Sequence, residues 1–284
     1  MFPRLLCVLA VLAALTSAGL TAGPVFYTMV QGGVGASTAT LESFDASSPG
    51  SPTVIGPMGV LADFGGLAYD SGNNTMYMVD GTGNDSTTAN SSLYSVNLTT
   101  GAATLIGSTG LPADVTGLTY DSANNTLYAA QLGSALPLEI LNINTGAATP
   151  VGTAIASGEV DNLAYDPTNG VLYGWSDCLG CAALYSINTG TGVGTLLSGT
   201  GLDSNDSGIV YDPSTNLLWD LDVRGLLTTV NPSTFAQTLV GTFEGGESSG
   251  LAEVPGAIPE PSTFLLLGSG MVLLCARFVR IKVN

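Results

Sequence analysis

Five positions, Asp63, Asp114, Glu159, Asn205 and Glu247, place an oxygen-bearing side chain at the same step of a recurring pattern, and four of the five are acidic. Each of the first four stands six residues before a tyrosine (Tyr69, Tyr120, Tyr165, Tyr211), and Glu247 stands six before Glu253, which takes the tyrosine's place in a final partial copy. Carboxylates gathered in one ring repel: two unit charges about 6 Å apart cost roughly 2–3 kcal/mol at an effective dielectric near 20. A hard divalent cation relieves that repulsion and prefers oxygen ligands, so the column is a candidate Ca²⁺ site. The other reading is that each acid caps its own turn and the column merely records a copied repeat.

Other residue types offer less. Cys178-Leu179-Gly180-Cys181 fits a short-loop disulfide of an exported protein, because oxidising compartments keep such pairs bonded even in a strained four-residue loop. A redox-active pair would need a helix N-terminus to lower a thiol pKa, and the surrounding pattern predicts none. Asp70, Asp121, Asp166 and Asp212 precede Ser-Gly-Asn-Asn, Ser-Ala-Asn-Asn, Pro-Thr-Asn-Gly and Pro-Ser-Thr-Asn, which is turn chemistry, the carboxylate accepting nearby backbone N–H groups. Asp45, Asn97, Asn144, Asn188 and Asn231 are read as turn starters on the same logic. Trp175 is the one aromatic outside the repeated columns that suggests a pocket wall.

Composition narrows the chemistry further. The 284 residues hold 5 Lys+Arg, 22 Asp+Glu and no His. Without histidine there is no Ser-His-Asp triad and no imidazole metal ligand. The only lysine is Lys282, so no lysine of residues 23–256 forms a Schiff base or cradles a phosphate. That stretch carries Arg224 against 21 acids, a formal charge of −20. Such a surface repels nucleic acid and anionic headgroups and leaves cations and neutral polymers as partners. Arg224 is also the one base there able to offset the acid column.

The elements that must position these groups repeat. FGGLAYDSGNNTMYMVD begins at Phe64, VTGLTYDSANNTLYAAQ at Val115, VDNLAYDPTNGVLYGWS at Val160 and DSGIVYDPSTNLLWDLD at Asp206. A second aromatic, Tyr77, Tyr128, Tyr173 or Trp219, follows each repeat tyrosine by eight residues. Two more short apolar runs complete each unit, the last being ATLIG, ATPVG, GTLLS or QTLVG. Four β-rich runs per unit of about 45 residues is the sequence form of a propeller blade. The units span residues 64–107, 115–152, 160–198 and 206–241. A fifth is split, with three runs at 25–56 and its first run, Gly250-Leu251-Ala252, at 250–254. Joining the two pieces leaves no open edge and predicts ring closure. The unit resembles the Tyr-Asp/Leu-Tyr type of β-propeller repeat, which implies fold rather than activity.

The ends of the chain read as targeting segments. Arg4, the apolar run Leu5–Leu15 and Thr16-Ser17-Ala18 form a secretory signal peptide within residues 1–22. At the other end, residues 257–284, Pro259-Glu260-Pro261-Ser262-Thr263 precedes an apolar run, FLLLGSGMVLLCA, and then Arg277, Arg280 and Lys282. A membrane helix followed by a basic end keeps that end inside and the acidic body outside. These residues resemble the PEP-CTERM sorting signal of exported proteins in Gram-negative bacteria, many of them exopolysaccharide producers. The resemblance implies recognition by exosortase, a membrane cysteine transpeptidase that cuts near the Pro-Glu-Pro.

The expected fold is therefore all-β: a five-bladed β-propeller of four-stranded blades over residues 23–256, between a signal peptide and a transmembrane sorting helix. Two functions fit it. One is a non-catalytic surface or matrix protein that binds exopolysaccharide or surface proteins. The other is a carboxylate-dependent, glycoside hydrolase-like enzyme, since five-bladed propellers include glycosidases. Export predicts a mature chain that starts near Gly19 and ends near Pro259–Pro261. Intact mass of the protein from an exosortase-positive host checks this, and a chain still carrying Lys282 would contradict it.

Overall fold

The strand ends are set by side chains that bond their own turns. Asp70 Oδ1 accepts the N–H of Gly72 at 2.9 Å and of Asn73 at 3.2 Å, and its Oδ2 accepts Asn73 Nδ2 at 2.7 Å. Asp121 and Asp166 repeat this pattern, and Asp212 replaces the asparagine bond with one from Thr215 Oγ1 at 2.7 Å. The turn then closes through a left-handed residue, Asn74 (φ 52°), Asn125 (φ 53°), Gly170 (φ 67°) or Asn216 (φ 57°). Asparagine and glycine tolerate that conformation, which explains the Asn-Asn, Asn-Gly and Thr-Asn endings of the repeats.

The second kind of turn is held by Asn97, Asn142, Asn188 and Asn231, each of whose Oδ1 accepts the N–H groups two and three residues on. Asp45 does the same for Ser47. The second repeat therefore uses Asn142, not Asn144. Gly146, left-handed at φ 80° like Gly101 at φ 79°, fixes the register, and counting back from it selects Asn142.

The computed structural model describes residues 23–31, 38–62, 64–80, 91–111, 115–133, 136–155, 159–176, 182–198 and 206–255. Its strands lie within one unit, Pro24–Val254. Four blades are consecutive in sequence. The first is β4 (Leu67–Asp70), β5 (Thr75–Val79), β6 (Ser92–Val96) and β7 (Ala103–Ser108). The second is β8 (Val115–Asp121), β9 (Thr126–Gln131), β10 (Leu138–Leu141) and β11 (Ala148–Val151). The third is β12 (Asn162–Asp166), β13 (Val171–Ser176), β14 (Ala183–Ile187) and β15 (Gly194–Ser198). The fourth is β16 (Asp206–Asp212), β17 (Leu217–Asp222), β18 (Leu226–Val230) and β19 (Gln237–Thr242).

The remaining sheet is composite. Its order is β20-β1-β2-β3, with β20 (Ser248–Val254) from the C-terminal end of the unit and β1 (Val25–Val30), β2 (Thr40–Asp45) and β3 (Thr53–Pro57) from its start. Val25 pairs with Val254, Phe26 with Glu253 and Tyr27 with Ala252, antiparallel. The chain is a five-bladed, four-stranded all-β propeller whose ring is closed by its last strand.

Side-chain size explains how the inner strands fit around the axis. A Cβ on Gly208 would come within 2.5 Å of Leu251 N, and one on Gly66 within 2.7 Å of Leu118 Cβ, so only glycine allows that approach. Between blades the alternate residues form apolar seams. Phe26 meets Trp219 in a tilted pair with ring centroids 5.1 Å apart, and Tyr77 meets Tyr120 at 6.0 Å. Trp175, expected on a pocket wall, is wholly buried against Leu184, Ile209 and Leu218 instead. It stands two residues after Tyr173 on a middle strand, and alternate residues line one blade face, so it joins Tyr173 in the same buried seam.

Candidate functional site

The two faces of the ring are built differently. On one lie the short turns just described, with nearly the same residues in every blade. The other carries the connections between middle strands, 31–39, 80–91, 132–137, 177–182 and 223–225, and between blades, 58–66, 109–114, 152–161, 199–205 and 243–247. These vary in length from blade to blade, and uniform turns on one end with variable connections on the other are how a rigid scaffold presents a site.

Of the acid column, Glu159 and Glu247 fall on described connections of this face. Glu159 is half-buried, and Glu247 is exposed, its backbone carbonyl accepting the Gln31 N–H at 2.9 Å. Asp63, Asp114 and Asn205 lie outside the described residues, as do Cys178, Cys181 and the sorting residues Pro259, Glu260, Pro261, Ser262, Thr263, Arg277, Arg280 and Lys282. Among the described residues no three His, Cys, Asp or Glu side chains group as metal ligands, and no helix is long and apolar enough to cross a membrane. Arg224, its side chain about half exposed, is paired with its neighbour Asp222. Its Nη2 lies 2.5 Å from Asp222 Oδ2 and its Nε donates to the same oxygen at 2.6 Å. The turn 223–225 imposes this, since Asp222 Oδ1 also accepts the N–H groups of Arg224 and Leu226.

Apolar side chains share the face with the acids. Leu61, Phe64, Leu132 and Val223 are exposed large hydrophobics of its connections. Phe64 adopts φ 56°, a left-handed backbone that a bulky residue seldom takes, and its ring is 49 % exposed. A strained backbone holding an aromatic ring in water is a feature of ligand-contacting segments.

Three acids that sequence reading missed are wholly or partly enclosed by the blades: Glu42 and Glu139 are buried and Asp80 is half-buried. Asp80 Oδ2 accepts the Tyr94 hydroxyl at 2.9 Å and its Oδ1 accepts the Ser92 N–H, yet burial outweighs both bonds and raises its pKa. Glu139 is 2 % exposed, Gln131 Nε2 donates to its Oε1 at 3.4 Å, and its Oε2 has no hydrogen-bond partner. Burial pushes its carboxyl up to about 7. Glu42, 7 % exposed with Oε2 unpartnered, is raised for the same reason. Their signal was a lone acid inside an apolar strand, as in Leu138-Glu139-Ile140-Leu141 and Leu41-Glu42. Burial makes the charged form of these groups costlier than in water.

On the uniform face the repeat tyrosines tie neighbouring blades together. The Tyr120 hydroxyl bonds Asn125 Oδ1 in its own blade and lies against the Asp70 carboxylate of the blade before. Burial first, and Asp70 second, push it up to about 12. Tyr165 stands in the same relation to Asp121, and Tyr211 to Asp166.

This architecture is shared widely among solved structures. A chain in the crystal structure of a nidogen/laminin complex is similar at TM-score 0.56 with 13% identity, covering 81% of this chain and 98% of that one. A Bacteroides thetaiotaomicron protein of unknown function is similar at TM-score 0.53 with 16% identity, over 77% of this chain and 59% of that one. At such identities the likeness is one of fold. No curated protein matches the chain significantly. Residues 257–280 match the PEP-CTERM protein-sorting motif. The protein is thus a propeller bearing a sorting signal that implies export to the cell envelope and processing by exosortase.

Glu139 gives a stability test with a definite sign. Its folded-state pKa lies above the ordinary 4.5, so its favourable contribution is complete below about pH 4.5 and is lost as pH rises through about 7. Glu139→Gln should leave stability near pH 4.5 almost unchanged and raise it at pH 8 by about 1–3 kcal/mol, the scale of a buried unsatisfied polar group. Urea unfolding of both forms at the two pH values measures this, and an equal effect at both would contradict it.

Proposed function

We propose that the protein is a non-catalytic binding platform of the outer surface or extracellular matrix, delivered there by its sorting signal, with a neutral exopolysaccharide as ligand. The asymmetry of the two faces carries this reading: the ring spends invariant turns on one side and diverse connections on the other. The variable face combines exposed Phe64, Leu61 and Leu132 with the carboxylates of Glu159, Glu244 and Glu247. Aromatic and aliphatic side chains pack on the C–H faces of sugar rings, and carboxylates accept their hydroxyl protons. The formal charge of −20 on residues 23–256 selects against acidic polymers. Calcium bound at the column of Asp63, Asp114, Glu159, Asn205 and Glu247 belongs to the same proposal, as a brace for the connections rather than a reagent.

The test is retention of the exported protein on a panel of neutral and acidic polysaccharides, with and without Ca²⁺. Binding to a neutral polymer that Phe64→Ala weakens about fivefold or more, with no release of reducing ends, is the expected result. Release of reducing ends would instead favour the glycoside hydrolase-like alternative, and no retention on any polymer would overturn the ligand class.

A further inference from the structure

Glu253 occupies a tyrosine's position. In the four sequential blades the innermost strand places its repeat tyrosine opposite the second residue of the next strand: Tyr69 faces Met76, Tyr120 faces Leu127, Tyr165 faces Leu172 and Tyr211 faces Leu218. In the closing blade Phe26 takes that second-residue place, and its partner is Glu253. Three seams set a tyrosine hydroxyl against the turn aspartate of the preceding blade, Tyr120 with Asp70, Tyr165 with Asp121 and Tyr211 with Asp166. At the fourth seam the aspartate is Asp212, buried at 0 % exposure, and the group that arrives from β20 is a carboxyl. At the fifth seam the residue in the aspartate's place is Val254, which packs with Tyr69 in one apolar cluster.

We propose that Glu253 is a proton-bearing stand-in for the seam tyrosine, donating a hydrogen bond to Asp212, so that this contact latches the closing strand to the ring and loosens as pH rises. Asp212 has the same need as its three counterparts. Its Oδ1 accepts Ser214 N–H and its Oδ2 accepts Thr215 Oγ1, one turn bond fewer than Asp70, Asp121 and Asp166 each accept. A tyrosine hydroxyl meets that need at any physiological pH, whereas a carboxyl does so only while protonated. The strands packed on β20 bring other titratable residues: Tyr27 on β1, Tyr69 and Asp70 on β4, Asp206 and Tyr211 on β16, Asp220 and Asp222 on β17, Tyr120 and Asp121 on β8. None of them is a cationic side chain. Burial first, and the Asp212 charge second, push Glu253 up to about 8, so the proton is present in neutral water. The sign follows: the latch is complete below the ordinary carboxyl range and is lost as pH rises through about 8.

Hydrogen exchange of the exported protein between pH 5 and 9, corrected for intrinsic rates, tests this in three forms: native, Glu253→Gln and Glu253→Tyr. Protection of β20 in the native protein should fall relative to either variant by up to about tenfold per pH unit below pH 8, then level off. Protection of β8, held by a tyrosine seam, should show no such difference. Glu139→Gln serves as the control for general loss of stability and should leave the β20 difference intact. An unchanged pH profile in Glu253→Gln would overturn the latch, as would a native β20 with no steeper profile than β8. Should Glu253→Tyr not fold, the Gln variant decides alone.

Discussion

The antiparallel pairing of β20 with β1 is the contact on which the ring depends. Each blade presents its faces to two neighbours, so every seam needs both of its walls in place. A missing inner strand would remove one wall from two seams together, because β20 lies beside β16 on one side and β4 on the other. The chain supplies that strand from its far end, and so the ring is complete only when residues some 220 positions apart meet, as the Thr28 hydroxyl bond to the Gly250 carbonyl at 2.8 Å shows. Long-range pairing of this kind is slow to find and holds firmly once made.

Much of this was readable beforehand because the repeat is written in turn chemistry. Asp70 and its counterparts must stand where their carboxylates reach the next N–H groups, so their spacing reports strand lengths directly. The split blade was readable because Gly250-Leu251-Ala252 repeats Gly66-Leu67-Ala68, and glycine at that step is demanded by the approach of inner strands. Asn144 misled because asparagine occurs twice in Asn142-Ile143-Asn144 and only the left-handed Gly146 decides between them. Trp175 misled because a middle strand buries both of its faces, so the alternation that marks a half-exposed strand is absent there.

The candidate site was less readable than its scaffold. Connections on the variable face share no template, so no repeat predicts them. The buried acids Glu42 and Glu139 and the half-buried Asp80 were overlooked since a count of charges does not say which ones the blades enclose. Their presence changes the meaning of the composition: part of the nominal negative charge lies enclosed between blades, and the charge that an external ligand meets belongs to the connections. Exported to the cell envelope, such a ring combines a rigid, uniform base with a face free to vary. That division of labour is what a binding platform requires.

Ring closure by the last strand is the claim most exposed to a direct measurement. Tyr27 and Ala252 are register partners across β1 and β20. Tyr27→Cys with Ala252→Cys, in a background where Cys178 and Cys181 are serine, should oxidise to an intramolecular disulfide within one chain and raise the midpoint of thermal unfolding. Free thiols after oxidation, or crosslinks formed only between separate chains, would contradict the closed ring.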